Sequence, residues 1–140
     1  MEIQNLKIFC DGGARGNPGP AGIGVVIVEQ SGREKRLKKY IGIKTNNQAE
    51  YEALLYALKI IESDYKDINQ VEIYLDSELV VKQMKGDYKI KNEKLGKLLI
   101  RARNLIISLD IEAKFYHIKR EKNHRADKLV NYAIDEQFKK

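Results

Sequence analysis

Twice in 140 residues an apolar, strand-like run ends directly on an aspartate: LKIFCD closes at Asp11 and VEIYLD at Asp76. Between them lies a stretch of helical period, Asn47 to Ser63. Ala49, Ala53, Leu54, Ala57 and Ile61 share one face there, and Leu58 and Ile60 widen it. Such a helix permits a crossover that lays the two runs side by side and parallel. Both aspartates then emerge at one edge of the sheet, the edge where open α/β sheets bind ligands.

The remaining periodicities fill in the order. Residues 6–10 and 22–28 are expected as strands, joined by the loop GGARGNPGPAG, which holds both prolines of the chain. Residues 34–43 follow through the turn at Ser31-Gly32 as a more polar third strand, completing an antiparallel meander. After the strand 71–75, SELVVKQMKG is expected as a short helix ended by Gly86. A helix over 92–108, a fifth strand over 111–118 and a last helix over 125–138 complete the chain. The order βββαβααβα defines an α/β fold around a mixed sheet. At this length a single domain over residues 1–140 is expected.

Composition excludes some classes and favours others. No apolar run approaches the roughly 18–20 residues of a membrane span, so no membrane partner is expected. MEIQNLK has no basic flank leading into an apolar stretch, and no secretory signal is expected. The lone cysteine, Cys10, allows no internal disulfide and fits a reducing cytoplasm. Net charge is +6, and residues 82–103 carry all of it, with eight Lys and Arg against Asp87 and Glu93. A solvated helix face would explain that run; so would a polyanion partner.

Two more carboxylates stand where a core should be. Glu50 lies on the apolar stripe with Ala53, Leu54, Ala57 and Ile61, in the first turn of its helix. Asp127 precedes Val130 and Ile134 by three and seven residues, on the face that Ala126, Leu129 and Ala133 broaden. A charge aimed at a sheet is costly unless it is paired or binds a metal. Taken singly, Asp11 and Asp76 could be turn or helix caps, and Glu50 and Asp127 surface groups at a stripe edge. Taken together, four converging carboxylates make an oxygen-rich site of the kind that selects Mg²⁺ or Mn²⁺. With a polyanion as partner, the matching chemistry is two-metal phosphoryl transfer.

The segments DGGARGNPGPAG (11–22), TNNQAEYEALLYAL (45–58), YLDSELVVKQMKG (74–86) and NHRADKLVNYA (123–133) give the chain a resemblance to type 1 ribonuclease H. The resemblance runs in family order over essentially the whole chain. It implies a ribonuclease H-like fold, a five-stranded mixed sheet with three antiparallel strands plus two parallel, flanked by helices. It implies an endonuclease that hydrolyses the RNA strand of RNA–DNA hybrids and leaves 3′-hydroxyl and 5′-phosphate ends. The implied cofactor is Mg²⁺, with Mn²⁺ as alternative, two ions per site with substrate bound. Asp11, Glu50, Asp76 and Asp127 would be the catalytic, metal-binding carboxylates, with Asp127 beside the attacking water. The backbones of Ala14 and Asn17 and the Asn17 side chain would meet the RNA strand. Thr45 and Asn46, with Asn47 nearby, would grip the DNA strand, recognised by its lack of 2′-hydroxyls. The resemblance also suggests a monomer.

Three departures from the family pattern stand out. Many relatives carry a histidine on a longer loop before the last aspartate; neither His117 nor His124 matches it, and Arg120 or Lys122 could meet phosphate from that loop instead. The chain has no tryptophan, and GDYKIKN is too short for the basic protrusion of many relatives, which makes this a compact form. The basic run, with Lys89 and Lys91 and with Tyr88 as a packing residue, would replace it. Glu78 stands where relatives often place a glutamine that reads the RNA. Two rivals share the fold: a DNA-directed enzyme such as a junction resolvase, and a binding module that has lost catalysis.

Overall fold

The parallel pair inferred from the two aspartate-terminated runs lies at the centre of the sheet. The computed structural model describes residues 4–139 and places β1 (Asn5–Ala14) between β2 (Gly19–Val28) and β4 (Gln70–Leu75). With β3 (Glu34–Lys44) and β5 (Glu112–His117) at the edges, the strand order is β3-β2-β1-β4-β5. β1–β2 and β2–β3 are antiparallel, while β1–β4 and β4–β5 are parallel. The crossover is α1 (Asn46–Asp64); α2 (Glu78–Lys85), α3 (Glu93–Leu109) and α4 (His124–Phe138) follow.

Alternation along β1 decides what each face buries. Leu6, Ile8 and Cys10 point into a core filled by Leu54, Leu58 and Ile61 of α1 and by Ile73 and Leu75 of β4. On the other face, Phe9, Tyr74 and Tyr116 stack across β1, β4 and β5, with centroids 4.8 and 5.2 Å apart. Arg125 of α4 lies over the Phe9 ring.

β1 is longer than its sequence suggests. Asp11 was expected at a carboxyl end before a glycine turn, yet β1 and β2 stay paired through Asp11–Gly24 to Ala14–Ala21. Only the parallel ladder with β4 stops early, at Cys10–Leu75. The glycines here are strand residues, selected by the helices pressed against them. A Cβ on Gly12 would sit 2.1 Å from the Ala49 carbonyl oxygen of α1, and one on Gly24 would sit 2.3 Å from that of Ala126 in α4. The two absent side chains seat one helix on each face, immediately beside Asp11.

Candidate active site

One step past the Cys10–Leu75 pair, the adjacent strands release Asp11 and Asp76 side by side. Gly12 lets the first turn of α1 approach, and its backbone N–H donates to Glu50 Oε1 at 3.1 Å. Asp11 and Glu50 are each only 5% exposed, so the stripe reading of Glu50 holds in three dimensions. Asp11, Glu50 and Asp76 each offer an oxygen within 4.8 Å of the others. Asp127, delivered by the first turn of α4, completes the wall of a cleft of about 290 Å³. It is half-buried rather than core-facing, at 28% side-chain exposure, and stands outside that tight trio.

Burial dominates the electrostatics. It pushes the Asp11 carboxyl up to about 7; the neighbouring Glu50 carboxyl opposes the shift, and the charges of Asp76 and Asp127 add to it. Glu50 is raised by burial and then by the charge of Asp11. Asp76 is raised by burial, against the pull of Asn123 and Arg120. Glu50 Oε2 is buried without a hydrogen-bond partner. A carboxylate oxygen left bare in a cluster of carboxylates is what a hard cation would satisfy. Asp11, Glu50 and Asp76 would each offer one carboxylate oxygen to such an ion, the all-oxygen donor set that Mg²⁺ or Mn²⁺ takes.

Two neighbours hold this cluster in place. Asn123, 1% exposed, donates from Nδ2 to the Cys10 carbonyl at 2.8 Å and to Asp76 Oδ2 at 3.3 Å. It belongs to a 3₁₀ turn, Arg120–Asn123, that no periodicity announced. In the same turn Arg120 extends into solvent and reaches Asp127 Oδ1 at 3.4 Å. Its guanidinium lines the cleft and feels the charges of Asp127, Asp11 and Asp76.

The glycine-rich loop and the start of α1 are tied together. Asn46 Oδ1 accepts the Ala14 N–H at 2.9 Å, and the Asn46 N–H donates to Asn17 Oδ1 at 2.9 Å. Ala14 therefore has its N–H committed within the protein, as Asn17 has its Oδ1. Thr45 is the N-cap of α1: its hydroxyl accepts from Gln48 N at 3.1 Å, and Gln48 Oε1 accepts the Thr45 N–H at 2.9 Å. That capping box was legible as T-x-x-Q. Asn47 lines both the carboxylate cleft and the groove beside Thr45.

The remaining expected residues lie apart from the carboxylates. Glu78, exposed in the first turn of α2, pairs with Lys82 at 2.8 Å, which lowers its pKa. Lys89 and Lys91 are exposed in the loop between α2 and α3 and are not among the cleft-lining residues. Tyr88 packs under Lys82, whose Nζ sits 4.9 Å from the ring centroid.

A mixed five-stranded sheet with carboxylates at its central parallel edge defines a ribonuclease H-like fold. The reverse transcriptase-like family profile matches residues 9–133. The crystal structure of LC11-RNase H1 in complex with an RNA/DNA hybrid superposes with a TM-score of 0.89 at 46% identity, covering 96% of this chain and 99% of that one. Ribonuclease HI of Halobacterium salinarum is 40% identical over 132 residues, 94% of this chain. The bifunctional protein Rv2228c of Mycobacterium tuberculosis is 38% identical over 134 residues, also 94% of this chain. The chain spans 65% of the first of these two proteins and 36% of the second. The chain belongs to the type 1 ribonuclease H family.

Proposed function

We propose that residues 1–140 form a single catalytic domain that hydrolyses the RNA strand of RNA–DNA hybrids, leaving 3′-hydroxyl and 5′-phosphate ends. The observation that carries this reading is the convergence of Asp11, Glu50 and Asp76 within 4.8 Å, with the buried Glu50 Oε2 unsatisfied. The 46% identity to a ribonuclease H1 crystallised with an RNA/DNA hybrid supports the substrate class. On this reading the protein acts as a cytoplasmic monomer, in keeping with its single, buried free thiol.

Asp11, Glu50, Asp76 and Asp127 would hold two divalent ions, Mg²⁺ or Mn²⁺. Bound there, such ions polarise a phosphoryl oxygen and make water a nucleophile near neutral pH. The chain's own residues supply the geometry. Asn123 fixes the rotamer of Asp76, and Gly12 N–H fixes that of Glu50. Arg120 adds a positive charge at the open side of the cleft, where a phosphate would enter. Asn17 Nδ2 faces the RNA strand, while Thr45, Asn46 and Asn47 line the side taken by DNA. Glu78, Lys89 and Lys91 contribute at the periphery.

The test is cleavage of an end-labelled hybrid in Mg²⁺ with both product ends mapped. The reading predicts cuts confined to the RNA strand, with 5′-phosphate on the downstream fragment. Products bearing 2′,3′-cyclic phosphate, or cleavage that persists in excess chelator, would refute it.

A further inference from the structure

The carboxylate cleft does not end at Asn47. A groove of about 820 Å³ continues from it between the glycine-rich loop and the start of α3, past Asn17, Thr45 and Asn92 to Lys94. A second depression, about 320 Å³, follows between the end of β3 and the outer faces of α1 and α3. Lys44, Gln48 and Lys94 line both, so one wall runs from Asp11 to Arg101. The outer depression collects Lys44, Lys94, Lys97 and Arg101 against a single carboxylate, Glu52.

Helical spacing explains the collection. Residues 94, 97 and 101 recur at i, i+3 and i+7 on α3, on one face, with Leu98 packed between them. Lys44 meets that stripe from the end of β3. Among the described residues Lys44, Lys94 and Arg101 take no ion pair, and Lys97 has only a contact of 3.8 Å to the exposed Glu93. By contrast, Lys82 and Arg103 of the same basic run are committed internally, to Glu78 and to the Gln83 carbonyl. The excess charge thus includes an internally committed part and a stripe whose one ion pair is the long Lys97–Glu93 contact. That stripe extends about 10 Å along the helix, from residue 94 to residue 101.

We propose that Lys44, Lys94, Lys97 and Arg101 form an outer phosphate track that binds the backbone of the DNA strand where the hybrid leaves the Thr45 groove. The track rests on the functional reading above and extends it: it makes affinity depend on hybrid length. A duplex too short to reach Lys97 and Arg101 is held by the inner groove alone. Each phosphate neutralised releases counterions, so the track also sets part of the salt dependence.

The experiment compares wild type with Lys97→Gln/Arg101→Gln on a nested series of hybrids of about 6 to 18 base pairs, roughly 20–60 Å long. Glutamine keeps helix propensity, and Lys59→Gln/Lys66→Gln is the charge-matched control. On the longest hybrid, KM and Kd should rise about tenfold, kcat should stay within about twofold, and the salt slope should fall by about 1.5–2. On the shortest hybrid the variant should match wild type, and the control should match it at every length. An unchanged salt slope, or an equal loss at all lengths, overturns the track. Wild type that binds hybrids with the length dependence described but leaves them uncut would refute the nuclease reading and leave the track standing.

Discussion

Asn46 and Asn17 are joined through their amides: the Asn46 backbone N–H donates to Asn17 Oδ1 at 2.9 Å. Asn46 also accepts the Ala14 N–H, so the loop assigned to the RNA strand and the helix start assigned to DNA form one hydrogen-bonded unit. If these segments make the two strand checks proposed above, the checks should be coupled, although the sequence presents them as separate motifs. Asn17→Ala and Asn46→Ala should each lower kcat/KM on the hybrid. The double variant should depart from additivity by about 0.5–1.5 kcal/mol. Additive losses would mean that the two segments act independently.

Thr45 serves the helix as well as the role proposed for it at the DNA strand. Its hydroxyl caps α1 in a reciprocal box with Gln48. Thr45→Ala should cost about 1 kcal/mol of stability in addition to any loss of binding. Thr45→Ser keeps the cap and should melt within about 1–2 °C of wild type, the shift of a few tenths of a kcal/mol. Thermal melts of both variants check this. A Thr45→Ala protein as stable as Thr45→Ser would show that the box contributes nothing.

The carboxylates make the metal-free protein prefer acid. Burial raises Asp11 from the ordinary range near 4 to about 7, so the folded state binds that proton more tightly than the unfolded chain. The associated stability is complete below about pH 4 and is lost as pH rises through about 7. Glu50 and Asp76 are shifted in the same direction. Asp11→Asn removes the penalty. In chelator its Tm should match wild type near pH 4 and exceed it by about 3–6 °C at pH 8, the effect of about 1–2 kcal/mol. Mg²⁺ at pH 8 should then stabilise wild type more than the variant. Equal melting at pH 8 would mean that the cluster is not strained.

Gly24 positions Asp127 without touching it. A Cβ there would meet the Ala126 carbonyl oxygen at 2.3 Å and Leu129 Cβ at 2.7 Å, and α4 would have to lift. Gly24→Ala should cost about 1–3 kcal/mol in stability. If Asp127 acts on the reacting phosphate, kcat should fall at least tenfold while KM stays within about threefold. A rise in KM with kcat intact would assign α4 a binding role instead.

Periodicity made much of this molecule legible, because burial writes a period into a sequence. The stripe that placed Glu50 among Ala53, Leu54 and Ala57 is the stripe that buries it. The parallel placement of Asp11 and Asp76 followed from the apolar runs and the helix that precedes the second. What was hidden depends on contacts between segments distant in sequence. Gly12 and Gly13 resemble a turn, yet they continue a strand because helices press against that stretch, and a helix face cannot be seen from the strand it covers. Asn123 sits in a 3₁₀ turn too short to show a period, and its role comes from Cys10 and Asp76. The basic run announced its charge but not its division. Only the fold separates Arg103, spent on a carbonyl, from Arg101, which faces a groove.

Strand selection is where the account is most exposed. If Asn17 requires a 2′-hydroxyl beside the cut, and Thr45 and Asn46 require deoxyribose opposite, only a hybrid satisfies the joined unit. Initial rates in Mg²⁺ on sequence-matched RNA–DNA, double-stranded RNA and double-stranded DNA measure this directly. The account predicts cleavage of the RNA strand of the hybrid, with rates on both homoduplexes lower by at least about a hundredfold, some 2.7 kcal/mol of discrimination. Double-stranded DNA cut as fast as the hybrid would contradict it and assign the carboxylate cleft to a DNA-directed nuclease.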